Sequence, residues 1–184
     1  VQSRYLLLIC VYLCLAQGFG TLLYFQQNDI VSEAIADLDR RTTFFATIDF
    51  AVQLLTLAIQ TFVTPWMLAR FGLPVALVSL PIMFAIGMPT LALAPSLWSL
   101  SVIMVLSRST AYGLTVPSRE VLFASLSRRE QYKSKNFIDT VVLRGSDAVA
   151  SQLMRLASAG PSLLWTAFAI TGMFVAVGWR LGKQ

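Results

Sequence analysis

The chain has 184 residues, 57% of them hydrophobic and 12% charged, with a mean hydropathy of +0.71. A soluble domain carries about 25% charged residues, so composition argues against a soluble globule, a disordered chain and a nucleic-acid-binding surface. The net charge of +5 is an excess that membrane proteins usually place in cytoplasmic loops. There is no histidine, which removes His-based acid–base catalysis and the commonest transition-metal ligand. Cys10 and Cys14 stand one helical turn apart in an apolar run. They read as small polarizable core fillers, with a disulfide or metal site as the lesser alternative. No glycine-rich phosphate loop follows a strand-like run. No nucleophile–base pair or metal cluster is visible, so neither an enzyme nor a cofactor is expected. The chain starts at Val1, which suggests a piece of something longer or a processed chain. Its first apolar run has no small-x-small cleavage site and does not read as a signal peptide.

Apolar segments of about 20 residues, the length that crosses a bilayer, recur through the sequence. Six spans are expected: Tyr5–Phe25, Thr43–Ala69, Phe71–Ala94, Leu97–Pro117, Phe137–Ala157 and Pro161–Trp179. They show no period-2 alternation and therefore read as helices. Pro81 and Pro89 fall inside the third span and predict kinks there. Gly18 and Gly20 in the first span suggest a close helix approach. Trp66, Trp98, Trp165 and Trp179 lie near span ends, as interfacial anchors do.

The connections set the orientation. The acidic stretch after the first span holds Asp29, Glu33, Asp37 and Asp39. The longest basic one, between the fourth and fifth spans, holds Arg119, Arg128, Arg129, Lys133 and Lys135. With both termini inside, nine loop Lys and Arg are cytoplasmic, and only Arg40, Arg41 and Arg155 are outside. The positive-inside rule favours that topology.

At about 100° per residue, four spans carry a polar face. Cys10, Cys14, Gln17, Thr21 and Tyr24 share one on the first span. Thr42, Asp49, Gln53, Thr56, Gln60 and Thr64 share one on the second. Ser101, Arg108, Tyr112 and Thr115 form that of the fourth. Asn136, Thr140, Arg144, Asp147, Ser151 and Arg155 form that of the fifth. The third and sixth spans have no such stripe and are expected to face lipid. Two polar members and one apolar member, given twice, is a 3+3 repeat, and internal repeats of this kind build secondary transporters. Ser, Thr and Gln in such stripes also serve as interhelical glue. Charge is different, because an ionised group at the bilayer centre costs at least ~2.5–3.5 kcal/mol. Asp49, Arg108, Arg144 and Asp147 are therefore candidates for a water-filled pathway or a gating ion pair, with Gln17, Gln53 and Tyr112 beside them. Arg144 and Asp147, three residues apart, can pair with each other.

The 3+3 pattern, with Arg70 and Gly72 in the short second inside loop, resembles one half of a major facilitator superfamily transporter. The segment VPSREVLFASLSRREQYKSKNFIDTVVLRGSDA is similar to a motif in the C-terminal half of the ATP/ADP carrier branch. The matching residues are Pro117, Ser118, Arg119, Glu120, Lys133, Lys135, Ile138, Asp139 and Arg144. The run Phe44 to Asp49 looks like the second C-half helix of bacterial members. Val116 stands where nucleotide exchangers carry an acidic residue. The resemblance covers essentially the whole chain. It implies an all-α integral membrane protein whose residues 1–184 are the C-terminal six-helix half of a twelve-helix fold. It also implies a bacterial inner membrane, an N-terminal half as partner, and exchange of an anionic small molecule, ATP/ADP-type nucleotide foremost. Two other readings stay open. One is a proton-coupled transporter of an unrelated solute, with Asp49, Asp139 or Asp147 titrating. The other is a non-transporting membrane assembly or sensor module.

Overall fold

A computed structural model describes residues 2–124, 131, 135–156 and 161–183, with the side chains of 2, 3, 153–156 and 161–166 left aside. Lys133, Arg128 and Arg129 lie outside the described residues, as do the side chains of Arg155 and Trp165. The described residues are helical apart from 35–37, 94–96 and 183, with no strand among them. In chain order they form α1 (Gln2–Ala34), α2 (Leu38–Ala58), α3 (Thr64–Leu93), α4 (Leu97–Thr110), α5 (Val116–Ala124), α6 (Leu143–Leu156) and α7 (Pro161–Gly182). π-Helical turns at Ile59–Val63, Ala111–Thr115 and Ile138–Val142 join α2 to α3, join α4 to α5, and lead into α6.

Two stretches are long and apolar enough to cross a membrane, Arg4–Ala34 and Leu38–Leu93. The second has 56 residues, or about 84 Å if straight, far beyond the ~30 Å hydrocarbon core. It is divided at Gly72, the one residue inside α3 with non-helical angles (φ 75°, ψ −175°). A side chain disfavours positive φ, so glycine marks the break between the second and third spans. Pro74 follows in the first turn of the resumed helix, where its missing N–H costs nothing.

Several expected boundaries move. α1 runs past Phe25 to Ala34, because Val31 is buried and Ile30 and Ile35 pack on the core. The polar stretch is thus an amphipathic end of the helix. The link to α2 shrinks to residues 35–37. Asp37 caps α2 by accepting from the Asp39 backbone N–H, so the second span begins at Leu38 and not at Thr43. The fourth span extends through its π turn to Ala124. It starts at Ser96, whose hydroxyl and that of Ser99 form a reciprocal capping box. The helical angles persist through Pro81 and Pro89. Their fixed φ suits a helix, so the expected kinks are replaced by the single break at Gly72.

α3 and α7 pack antiparallel along much of their length, with Gly178 against Leu77 and Gly182 against Pro74. α1 touches α3, α4, α6 and α7 and is the central helix. The core between α1, α3 and α7 is aromatic. Phe19 stacks on Phe84 at 5.0 Å and on Phe174 at 5.6 Å, and Tyr12 meets Phe174 at 5.0 Å. The Tyr12 hydroxyl donates to the Leu77 carbonyl at 2.7 Å. The outward faces of α3 and α7 are apolar, with Ile82, Ile86, Ile170 and Met173 exposed.

α2 packs on α4, and their π turns meet. Gly113 makes the closest approach there, since a Cβ on it would stand 2.5 Å from Ile59 Cγ2. The expected approach at Gly18 and Gly20 is absent, with nothing within 4 Å of a Cβ on either. π turns release carbonyls from the helical ladder, and buried polar groups need partners. Here the Gln60 amide donates to the Tyr112 carbonyl at 3.1 Å, and the Thr64 hydroxyl to that of Gly113 at 2.7 Å.

Candidate functional site

Members of the polar stripes of the first, second and fourth spans line one cavity of about 560 Å³. Its wall includes Gln17 and Tyr24 from α1, Asp49 from α2, Arg108 from α4, Tyr112 from the π turn and Arg119 from α5. Phe84 of α3 and Leu143 of α6 contribute apolar wall. Along the fourth span the lining runs from Met104 to Arg119, about 22 Å at 1.5 Å per residue. The cavity therefore extends over much of the thickness of a bilayer.

Arg108 Nη1 donates to Asp49 Oδ1 at 2.7 Å, within the short range of charge-assisted bonds. The side chains stay 37% and 58% exposed, so the pair borders open space. Ser109, next to Arg108, donates to the Val52 carbonyl at 3.2 Å and holds the two helices in register.

Asp147 is arranged differently. Its carboxylate accepts from Gln17 Nε2 at 2.9 and 3.0 Å and from the Thr21 hydroxyl at 2.9 Å, tying α6 to α1. The expected Arg144–Asp147 pair is not formed, and Arg144 is exposed with no hydrogen bond or ion pair to a described residue. On α6 the guanidinium points outward while Asp147 turns toward α1, so three-residue spacing does not bring them together. The same contact line has the Ser146 hydroxyl donating to Cys14 Sγ at 3.0 Å. Both cysteines are free thiols.

At the Arg119 end of the cavity the motif residues form a second charged group. Arg119 Nη1 lies 3.4 Å from Asp139 Oδ1, and Nη2 lies 3.8 Å from Glu120 Oε1. Lys135 Nζ donates to Glu120 at 2.9 and 3.0 Å. Pro117 is half-buried one turn above Glu120.

Of the residues singled out from the sequence, Gln17, Asp49, Arg108 and Tyr112 line the cavity. Arg144, Asp147 and Gln53 do not, and Gln53 is exposed on α2. Gln27 and Asn28 also line it, though the sequence placed them in a connection. The helical continuation past Phe25 was the signal that could have found them. The sequence places Arg119 in the basic connection and in the motif, not in a polar stripe. Its spacing of eleven from Arg108, close to three helical turns, was the available sign that it shares the same cavity.

No family model, no curated protein and no solved structure matches this chain.

Proposed function

We propose that this chain is a six-helix half of a secondary transporter, moving organic anions by alternating access, with ATP/ADP-type nucleotide exchange as the leading activity. The observation that carries the reading is the Arg108–Asp49 ion pair on the wall of a largely apolar cavity between apolar helices. Ionised groups are kept inside a membrane only where water, a partner or a substrate meets them. A cavity of this volume is in the range that holds a small molecule. A guanidinium matches the geometry of phosphate and carboxylate oxygens, and Asp49 satisfies it until an anion arrives. Binding then favours the state in which the pair is open, which is how a ligand shifts a two-state equilibrium.

The exposed apolar face of α2, with Phe50, Leu54 and Leu57, supports a location in the bilayer or against an N-terminal half. The distribution of Lys and Arg supports both termini inside, and the resemblance implies a bacterial inner membrane. The motif around Arg119 and Asp139 supports nucleotide as the substrate.

A proton-coupled transporter of another solute is the second reading. It is favoured by Asp147, whose carboxylate, among the described residues, meets only neutral donors. Counterflow of labelled ATP against ADP in proteoliposomes, run at several pH values, separates the two. Exchange independent of pH supports nucleotide exchange. Absence of exchange, with solute uptake driven by a pH gradient, overturns it in favour of the second reading.

A further inference from the structure

The two arginines that border the cavity are held very differently. Arg108 makes one short bond to a single carboxylate, at 2.7 Å. Arg119 lies about 16 Å further along the fourth span. Its nearest carboxylate oxygens stand at 3.4 and 3.8 Å, beyond the ~2.7–2.9 Å of a strong charge-assisted bond. One of those carboxylates, Glu120, is already engaged at 2.9 Å by Lys135. Arg119 Nε is buried without a hydrogen-bond partner among the described residues, and so is the hydroxyl of the adjacent Ser118. A guanidinium only 18% exposed therefore keeps donors unused at this end of the cavity. Losing Arg119 would cost its partners little. Glu120 retains Lys135, and Asp139 is 40% exposed and open to water.

We propose that Arg119 is a second anion subsite, selective for phosphate-type oxyanions, and that an anion there takes Arg119 from Asp139. A phosphate offers two oxygens to one guanidinium fork, which the long single contact to Asp139 does not. Asp139 sits in the π turn that leads into α6, and Leu143 at the start of α6 lines the same cavity. Exchanging Asp139 for an anion thus removes one of the two ties that the described residues make between α5 and the segment that leads into α6, leaving Glu120–Lys135 as the other. Occupancy of this subsite becomes the signal that loosens this end of the cavity. The inference rests on the anion pathway proposed above and adds where the anion binds second.

Binding of inorganic pyrophosphate to the full chain purified in detergent, measured calorimetrically, tests it without requiring transport. Because Asp139 competes with the anion, Asp139→Asn should tighten pyrophosphate binding roughly two- to fivefold, as expected for removing a partly exposed ion pair. A misfolded variant does not gain affinity. Arg119→Gln should weaken binding about tenfold. Unchanged affinity in Arg119→Gln, or no tightening in Asp139→Asn, overturns the subsite. If both shifts appear while ATP/ADP counterflow is absent, the subsite stands and the nucleotide reading falls.

Discussion

Asp49 lies on α2 and Asp147 on α6, and the fold answers their charges in opposite ways. Asp49 reaches across to Arg108 on the fourth span and forms a charged pair that borders the cavity. Asp147 reaches across to Gln17 and Thr21 on the first span and forms a neutral-donor network off the cavity wall. A charged pair open to a cavity can be exchanged for a competing ion. A carboxylate held by an amide and a hydroxyl works as an interhelical tie. The comparison therefore divides the two carboxylates into one paired with a cation at a cavity wall and one that fastens helices through neutral donors.

The largest expected effect is at the exchangeable pair. Arg108→Ala should lower anion uptake into proteoliposomes by about 10- to 100-fold, the scale of a lost hydrogen bond to a charged group. Folding, read by helicity and a monodisperse elution profile, should be kept. Arg108→Lys should recover uptake only in part, because an ammonium lacks the planar fork. Full uptake in Arg108→Ala would make the pair a packing element and remove the contrast with Asp147.

An intermediate effect is expected at the tie. Asp147→Ala removes three hydrogen bonds between α6 and α1 and should lower unfolding stability in mixed micelles by about 1–3 kcal/mol. Asp147→Asn should cost less than about 1 kcal/mol, since the Gln17 amide can turn to present its oxygen. At Asp49 the order should differ, with Asn as damaging to uptake as Ala, because neither compensates Arg108. Equal losses for Asn and Ala at position 147 would show that its charge matters too.

The smallest effects should come from Gln53→Ala and Arg144→Ala. Both residues belong to polar stripes, yet neither lines the cavity, and Arg144 bonds to no described residue. Exposed substitutions of this kind stay within about 0.5 kcal/mol, and uptake should be near normal. A marked loss of uptake in Arg144→Ala would bring that arginine back into the pathway and weaken the two-carboxylate contrast.

Much of this organisation was legible residue by residue. Long apolar runs without alternation can only be helices in a bilayer, because each backbone N–H and C=O must find a partner within its own segment. Gly72, in the short loop after Arg70, marked the one break inside α3. The polar faces followed from 100° per residue, and three of the four supply side chains to one cavity. What the sequence could not settle was partnership. A three-residue spacing made Arg144 the obvious match for Asp147, but the fold set Gln17, 130 positions away, against it and left Arg144 outside. The paired π turns were equally illegible. They depend on Gly113 admitting Ile59 and on Gln60 and Thr64 reaching carbonyls of another helix. Helix formation and facing are properties of neighbours along the chain, so sequence determined them. Which carboxylate meets a cation, which meets a neutral amide, and which arginine keeps unused donors depend on how helices rotate and cross. Only the tertiary packing decided those.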